Sequence, residues 1–324
     1  MVVDYRKFNK VTKKDTLSLP RIDETLDKLK DSKIFSTIDL RKGFWQVPMA
    51  EKDKYKTAFS TKFGTYEFNV MPFGLVNAPA TFQRMMNKIL ADCIGKFVEV
   101  YVDDIIIYSP TFADHLKHLE KVFKLLDEVK LKLSLEKSKF FQSEVRFLGH
   151  LITTKGILPD ERKIQAVRDY PVPKNLRELR GFLGLASYYR KFIEKFSSIA
   201  KPMNQLLKKD KDYQWNDACQ NSFEILKDRL IKAPILRYPD FTKPFYVETD
   251  ASGTGLGVIL AQKDDNKKEY VIEYASRSLN EAESNYSAQD LECLAIVWAI
   301  DHFYPYVGYN HFHLITDNSE FTWL

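Results

Sequence analysis

Residues 97–109, FVEVYVDDIIIYS, place two adjacent carboxylates, Asp103 and Asp104, between two apolar runs. The flanking runs are rich in β-branched and aromatic residues, which predicts two buried strands joined by a tight turn. Aspartate is a common turn residue, so the pair could simply form the tip of a hairpin. Alternatively, the rigid strands could hold the two carboxylates in place as metal ligands. The dipeptide alone leaves both interpretations open, and the rest of the chain has to separate them.

Length and composition are those of a globular chain of about two domains. The chain has 324 residues, of which 44% are hydrophobic and 29% charged, and a domain usually has roughly 150 residues. No apolar run approaches the ~20 residues of a membrane span, so we expect no membrane partner. The first ten residues are mixed and charged, so we expect neither a signal peptide nor a transit peptide. Three widely spaced cysteines favour an intracellular, reducing location over a disulfide framework.

Positive charge is concentrated in one segment of the chain. The net charge is only +5, but residues 162–211 contain 13 lysines and arginines against 4 acidic residues. Such a segment suits a polyanion such as nucleic acid. The alternative is a solvated helix face, the usual place for a run of charges.

Hydrophobic periodicity predicts a chain of mixed helices and strands. Helices are predicted at residues 20–30, 113–130, 175–196 and 291–303, and strands at 34–40, 97–102, 105–109 and 312–317. Residues 245–262 are predicted to form a strand, a glycine-rich turn and a second strand. The second helix should bury a stripe of Leu116, Leu119, Phe123 and Leu126, and the third should begin at the N-cap Asn175. Proline-containing segments at 170–174 and 238–244 mark candidate boundaries.

Several stretches together resemble a known family. They are IDLRKGFWQVPM (38–49), MPFGLVNAPATFQRMMN (71–87), YVDDIIIYS (101–109), FLGHLI (147–152), LRGFLGLASYYRKFI (179–193), TDASGTGLGVILAQ (249–262) and YASRSLNEAESNYSAQDLECLAIVWA (274–299). In this order and spacing they resemble the reverse transcriptase and ribonuclease H segment of gypsy-type long-terminal-repeat retrotransposon Pol polyproteins. The resemblance implies an α+β right-hand polymerase with partial fingers, palm and thumb/connection, followed by an incomplete α/β ribonuclease H-like domain. The implied domains are residues 1–152 (fingers and palm), 153–238 (thumb/connection) and 239–324 (ribonuclease H-like).

The resemblance also assigns roles to individual residues of the polymerase part. Asp39, Asp103 and Asp104 match the three palm carboxylates, which bind two Mg²⁺ ions, with Mn²⁺ as an alternative. Substrate-binding roles fall on Phe44 (the gate that rejects ribonucleotides), Phe73, Gln83, Lys137 and Arg6. The primer grip matches Phe147, Leu148, Gly149 and His150. The implied partners are an RNA or DNA template, a primer, dNTPs and other parts of the retroelement polyprotein.

Elementary chemistry is consistent with these roles. Two metal ions about 3.5–4 Å apart can activate a primer hydroxyl and stabilise the leaving pyrophosphate, and Mg²⁺ prefers oxygen ligands. Because adjacent strand residues point to opposite faces, we expect Asp103 to meet Asp39 and Asp104 to be the less direct partner. A bulky Phe44 argues against the rival activity of an RNA-templated RNA polymerase.

A second set of carboxylates follows near the C-terminus. Asp250 and Asp317 each end a predicted strand, and Glu292 lies on a predicted helix. The resemblance implies that these three residues hold a second pair of metal ions and hydrolyse the RNA strand of an RNA–DNA hybrid. Without the resemblance, each would be interpreted as a cap or a surface residue.

Other candidate side chains are interpreted as structural. His115 and His118 lie three residues apart on an amphipathic helix without a nearby third ligand, and His311 and His313 alternate along a strand. Tyr188, Tyr189 and Phe192 could stack on bases, but their helical spacing beside leucines favours a core.

The two ends of the sequence depart from the family pattern. The chain begins inside the fingers, so Arg6 is present without the preceding cationic pair, and it ends seven residues after Asp317. We therefore keep an alternative beside the enzyme, namely a catalytically impaired nucleic-acid-binding remnant. The expected location is intracellular: the cytoplasm, a virus-like particle or the nucleus.

Overall fold

The computed structural model describes residues 3–208 and 212–316. The chain forms two compact units, the first comprising Met1–Leu148 with Ile152–Thr154 and the second Gly149–Leu151 with Lys155–Leu324. Between residues 148 and 155 the chain therefore passes three times from one unit to the other. The predicted boundary at residue 238 lies inside the second unit and stays a prediction.

The first unit mixes short helices with antiparallel strands. Its helices are α1 (Arg6–Val11), α2 (Ile22–Asp27), α3 (Ala78–Ile89) and α4 (Phe112–Glu128). Its strands are β1 (Ile34–Asp39), β2 (Phe59–Thr61), β3 (Gly64–Tyr66), β4 (Val98–Tyr101), β5 (Asp104–Ser109), β6 (Lys139–Gln142) and β7 (Glu144–Phe147), while β8 (His150–Thr153) spans the boundary. This composition confirms the predicted α+β class for this part of the chain.

A four-stranded antiparallel sheet in the order β4-β5-β1-β6 forms the centre of the first unit. The predicted pair of buried strands is confirmed, since Ile105, Ile106 and Ile107 of β5 are at most 1% exposed. Helix α3 packs against β4, and α4 packs against β5 and β1. Both faces of β5 are therefore covered, which explains why its sequence is a continuous apolar run instead of an alternating one.

The side of helix α4 that is buried differs from the predicted one. Its buried residues are His115, Leu119, Val122 and Leu126, whereas Leu116 and Phe123 are 48% and 37% exposed. The reason is a polar network that draws His115 inward. Its ring nitrogens are hydrogen-bonded to Ser36 Oγ of β1 at 2.7 Å and to Ser109 Oγ of β5 at 2.8 Å. This network connects α4 to the two central strands.

Protonation of His115 should destabilise the fold. Burial, and then the neighbouring His118, lower the pKa of His115 to about 4 from 6.5. The neutral ring is therefore favoured in the folded state, so its contribution is complete above pH 6.5 and is lost as the pH falls toward 4. Between pH 7 and pH 5, the wild type should lose about 2 kcal/mol more unfolding free energy than His115→Gln. Urea denaturation at both pH values measures this difference.

The matched control for that measurement is His311→Gln, which changes an exposed histidine. This variant should keep the pH dependence of the wild type. An equal loss of stability in the wild type and in His115→Gln would contradict the assignment.

The second unit contains the remaining helices and a second sheet. Its helices are α5 (Glu161–Arg168), α6 (Leu176–Tyr188), α7 (Phe196–Gln205), α8 (Asp217–Ile231), α9 (Ala288–His302) and α10 (Tyr304–Val307). Its strands are β9 (Gly156–Pro159), β10 (Phe245–Ser252), β11 (Gly255–Lys263), β12 (Glu269–Ser278) and β13 (Phe312–Ile315). The sheet order is β12-β11-β10-β13, and only the β10–β13 pair is parallel.

The long helix predicted at residues 175–196 is interrupted. Asn175 caps α6 as predicted, because its side chain accepts a hydrogen bond from the Glu178 amide. The helix ends at Tyr188, and α7 begins only at Phe196, after Lys195 with a φ of 55°. The break accompanies Tyr189, which is 1% exposed and donates its hydroxyl to the Gly149 carbonyl at 2.6 Å. Amphipathic periodicity continues across the break, so the pattern alone could not show it.

Across the part of the chain that the structure describes, no helix has both the length and the apolar character that crossing a bilayer requires.

Candidate active sites

The hairpin of β4 and β5 has a loop of only Val102 and Asp103. Tyr101 and Asp104 form the last strand pair before this loop. On its other side, β5 pairs with β1, and Asp104 lies directly opposite Asp39. Residues directly opposite in an antiparallel pair project from the same face of the sheet. The strand register therefore brings the carboxylates of Asp39 and Asp104 side by side.

This arrangement differs from the expectation that Asp103 is the direct partner of Asp39. That expectation assumed an unbroken strand in which successive side chains alternate. Asp103 instead belongs to the loop, and Asp104 is the first residue of β5. Asp103 still lies near the other two, because the charges of Asp104 and Asp39 both raise its pKa.

The three carboxylates repel one another. Desolvation by the surrounding protein is the largest cause that raises the pKa of Asp103, followed by the charges of Asp104 and Asp39. The pKa of Asp104 is raised by desolvation and then by the charge of Asp39. Ionising this cluster is therefore unfavourable unless a cation neutralises it.

A divalent ion fits the chemistry of this donor set. Carboxylate oxygens are the ligands that Mg²⁺ prefers, and a cation would offset both the desolvation and the repulsion that raise the pKa values of Asp103 and Asp104. Within residues 3–208 and 212–316, however, no three acidic, histidine or cysteine side chains are positioned to hold a metal ion as a group.

The segment after α4 holds Asp39 in place. The Asp39 carbonyl accepts a hydrogen bond from the Ser134 amide at 2.9 Å, and its amide donates to Ser138 Oγ at 3.2 Å. Between these two serines, Lys137 extends its Nζ to 3.9 Å from Asp39 Oδ1. The structure thus brings the predicted Lys137 to the carboxylates. Sequence reasoning missed both serines, whose only signal was their position on either side of Lys137.

Gln83 holds the backbone of the hairpin from within the core. The side chain is fully buried. Its Nε2 donates to the Val100 carbonyl at 3.1 Å and to Asn87 Oδ1 at 2.8 Å, and its Oε1 accepts from the Val102 amide at 2.6 Å. The predicted substrate-lining residue therefore has its amide group occupied by Val100 of β4, by the first loop residue Val102 and by Asn87 of α3.

The loop that Gln83 holds has a strained backbone. Val102 has a φ of 52°, at the first loop position, where hairpins with such a turn usually carry glycine. A left-handed conformation costs a residue with a Cβ about 1–2 kcal/mol, and strain of this kind persists only where surrounding contacts enforce it. The hydrogen bond from the Val102 amide to Gln83 is one such contact.

An aromatic cluster lies beside the carboxylates. Phe44 is 8% exposed, and its ring centroid is 5.3 Å from those of Phe73 and Phe82. Before it in the chain, Gly43 allows close approach, since a Cβ there would lie 3.0 Å from Phe82 and 3.4 Å from Asp103 Oδ1. The structure thus brings Phe44 and Phe73 together, with the preceding Gly43 next to Asp103. Gly43 was not singled out from the sequence, although it belongs to the quoted motif.

The predicted primer-grip residues form a turn of their own. Leu148 and Gly149 both have positive φ values, 47° and 68°, as in two-residue hairpin loops. Phe147 and His150 flank this turn and are 3% and 2% exposed. Arg6 was also predicted to bind substrate. In the structure, its guanidinium instead forms an ion pair with the exposed carboxylate of Asp4, at 2.6 Å.

In the second unit, Asp250 lies on β10, opposite Gly257 of β11. Glu292 lies on α9, which packs against β10. Asp317 lies outside the described residues. The Asp250 carboxylate is bound to a cation of the protein itself, because Lys195 Nζ lies 2.6 Å from its Oδ2. Carboxylate oxygens are ligands that suit a divalent ion such as Mg²⁺, so the side chains of Asp250 and Glu292 fit one chemically. No feature of the sequence indicated Lys195.

Comparisons with known proteins agree with this geometry. Residues 1–152 match the family of reverse transcriptases (RNA-dependent DNA polymerases). Residues 215–314 match the RNase H-like domain found in reverse transcriptases. The carboxylate hairpin lies in the first region, and Asp250 and Glu292 lie in the second.

Similar proteins include retrotransposon polyproteins. The retrovirus-related Pol polyproteins of transposons 297 and gypsy from Drosophila melanogaster are 47% and 39% identical over 100% and 99% of this chain. The Tf2-3 polyprotein of Schizosaccharomyces pombe is 38% identical over 99% of it. The chain spans 30%, 32% and 24% of the lengths of these relatives, respectively.

Similar solved structures include foamy viral reverse transcriptases. The foamy viral protease-reverse transcriptase dRH in complex with double-stranded DNA has a TM-score of 0.86 at 29% identity, over 98% of this chain and 55% of that one. The foamy viral enzyme in complex with an RNA/DNA hybrid has a TM-score of 0.82 at 28% identity, over 97% and 43%. These likenesses confirm the predicted polymerase fold with an RNase H-like domain. Residues 1–152 therefore belong to the reverse transcriptases and residues 215–314 to the RNase H-like domains found with them, in a chain that is similar over its whole length to part of the retrotransposon Pol polyproteins.

Proposed function

We propose that this chain is an RNA-directed DNA polymerase that adds dNTPs to a primer paired with an RNA or DNA template. The observation that carries the proposal is the strand register that pairs Asp39 with Asp104, next to Asp103 in the hairpin loop. Divalent ions held by these three carboxylates would activate the primer hydroxyl and neutralise charge on the leaving pyrophosphate. Reverse transcriptase and RNase H-like families generally depend on divalent metals, and we propose Mg²⁺ here, with Mn²⁺ as a substitute.

The neighbouring side chains suggest further roles in that reaction. Lys137, near Asp39, would contribute positive charge where phosphate oxygens develop negative charge. Phe44, packed between Phe73 and Phe82, would present a rigid ring that excludes a 2′-hydroxyl. Arg6 would approach the triphosphate only after leaving Asp4. The turn from Phe147 to His150 would contact the primer.

For the second unit, we propose hydrolysis of the RNA strand of an RNA–DNA hybrid by Asp250, Glu292 and Asp317. The related foamy viral enzyme binds double-stranded DNA and an RNA/DNA hybrid, and we propose the same two partners for this chain. We also propose the three-part division at residues 152 and 238, association with other parts of the retroelement polyprotein, and an intracellular location.

Primer extension tests the polymerase proposal. The purified chain should extend a DNA primer on an RNA template with Mg²⁺ and dNTPs, and EDTA should abolish the extension. Excess Mg²⁺ added after EDTA should restore it, which separates metal removal from unfolding. A folded chain that binds primer–template without extending it would instead favour the nucleic-acid-binding remnant.

A further inference from the structure

Lys195 forms a close ion pair with the proposed metal ligand Asp250. Its Nζ lies 2.6 Å from Asp250 Oδ2, and the two side chains are 50% and 48% exposed. Exposed ion pairs are usually weak, because long side chains lose freedom when they adopt one geometry. A short contact at this exposure therefore raises the question of what directs the lysine to Asp250.

The backbone around Lys195 supplies part of the answer. Lys195 has a φ of 55° and precedes α7, and its carbonyl accepts hydrogen bonds from the Ser198 and Ile199 amides at 3.1 and 3.2 Å. The Ser197 amide donates to Ser276 Oγ of β12 at 2.9 Å. Ser276 also accepts a hydrogen bond from the Arg190 guanidinium through its carbonyl. The segment that carries Lys195 is thus attached on both sides to the sheet that contains Asp250.

The sheet leaves room for the lysine side chain. Gly257 lies opposite Asp250 in the strand register. A Cβ on Gly257 would lie 3.6 Å from Lys195 Cγ and 3.8 Å from Asp250 Oδ2. The aliphatic part of the Lys195 side chain therefore passes over Gly257, and its ammonium group contacts the Asp250 carboxylate. Glu194 and Glu248 line the same cleft, so the surroundings of the ammonium group are acidic.

We propose that Lys195 is an internal cation that closes the second carboxylate site, so that a divalent ion must displace it from Asp250 in order to bind. The inference rests on the proposed role of Asp250 in hybrid hydrolysis. An ammonium group at 2.6 Å occupies the oxygen that an ion would use, and two cations on one carboxylate repel each other. Lys195 thus lowers the metal affinity of this site until it moves away.

Metal binding tests the proposal without an activity assay. The background is a chain with Asp39→Asn, Asp103→Asn and Asp104→Asn, which removes the palm ligands. Free Mn²⁺ is titrated by electron paramagnetic resonance against this background, with and without Lys195→Met. Removing the ammonium group should tighten Mn²⁺ binding about twofold to fivefold, the range expected for releasing a half-exposed ion pair. Higher salt should reduce the difference by screening the pair.

Matched variants separate the outcomes. Lys201→Met removes a lysine from the following helix and should leave the Mn²⁺ affinity unchanged. Lys195→Gln, which retains a polar side chain, should bind Mn²⁺ with the same affinity as Lys195→Met. Thermal unfolding of each variant verifies that it folds. Adding Asp250→Asn should abolish the binding in every case.

Two results would overturn the proposal in distinguishable ways. Equal or weaker Mn²⁺ binding after the removal of Lys195 would show that this lysine does not close the site, while leaving Asp250 as a metal ligand. No Mn²⁺ binding in any variant with an intact Asp250 would overturn both this inference and the proposed hydrolytic role of the second unit.

Discussion

Asp104→Asn should abolish primer extension as completely as Asp39→Asn does. Asp104 is the residue that the register places directly opposite Asp39, so both carboxylates should be needed to hold an ion on that face. A loss of at least a thousandfold in the extension rate is expected, which corresponds to about 4 kcal/mol of transition-state stabilisation. Single-turnover extension on a saturating primer–template measures the rate without interference from product release.

The same substitution should leave the fold intact. Desolvation, and then the charge of Asp39, raise the pKa of Asp104, so ionising Asp104 in the folded chain is unfavourable in the absence of metal. Replacing one carboxylate by a neutral amide should therefore maintain or slightly raise the melting temperature. Asp92→Asn, on an exposed residue between α3 and β4, is the matched control and should extend primers at the wild-type rate.

One pattern of results would count against this account of the site. If Asp104→Asn kept more than a tenth of the activity while Asp103→Asn lost all of it, the loop carboxylate would be the important partner of Asp39. The strand register would then be a structural feature without a catalytic consequence.

Gln83→Leu should destabilise the chain and slow extension together. Leucine has a similar volume, but it would leave the Val102 amide and the Val100 carbonyl without the partner that now binds both. A buried polar group without a partner costs about 1–3 kcal/mol, so a loss of about 2–4 kcal/mol of unfolding free energy is expected. The loop carrying Asp103 would lose a contact that enforces its strained backbone, so kcat should fall more than KM rises.

Gln46→Leu provides a matched control for stability. Gln46 bridges the backbone in a similar way, because its amide donates to the Arg41 and Lys132 carbonyls and accepts from the Lys132 amide. That site is open to solvent, so water can replace the lost hydrogen bonds, and the cost should remain below about 1 kcal/mol. Urea denaturation compares the two variants. Equal costs would show that burial of the Gln83 amide is not what makes it important.

The hairpin and its neighbours could be predicted because local sequence determines them. Continuous β-branched runs on either side of Asp103 and Asp104 predict two buried strands, and the structure has them as β4 and β5. Which residues form the loop was harder to predict from the sequence. Valine is a poor loop residue at positive φ, yet Val102 occupies that position. The partnership of Asp39 with Asp104 depends on where the loop begins, whereas the assumption of an unbroken, alternating strand assigned it to Asp103.

Features that depend on contacts distant in the sequence were not predictable. Gln83 belongs to a recognisable motif, but only the packed structure shows its amide turned inward to the hairpin. Lys195 and Asp250 are separated by two helices and a strand-forming segment, and an ion pair at that separation leaves no local pattern. The break before α7 has the same origin, since the burial of Tyr189 outweighs an uninterrupted helical periodicity.

The repeated passage of the chain between its two units has a consequence for synthesis on the ribosome. The first unit includes Ile152–Thr154, which follow three residues that belong to the second unit. Ile152 is fully buried, so a nascent chain released only as far as residue 148 lacks a piece of its own core. Domains commonly fold in order as they emerge during translation. Here the first unit cannot be completed until the ribosome has released the beginning of the second.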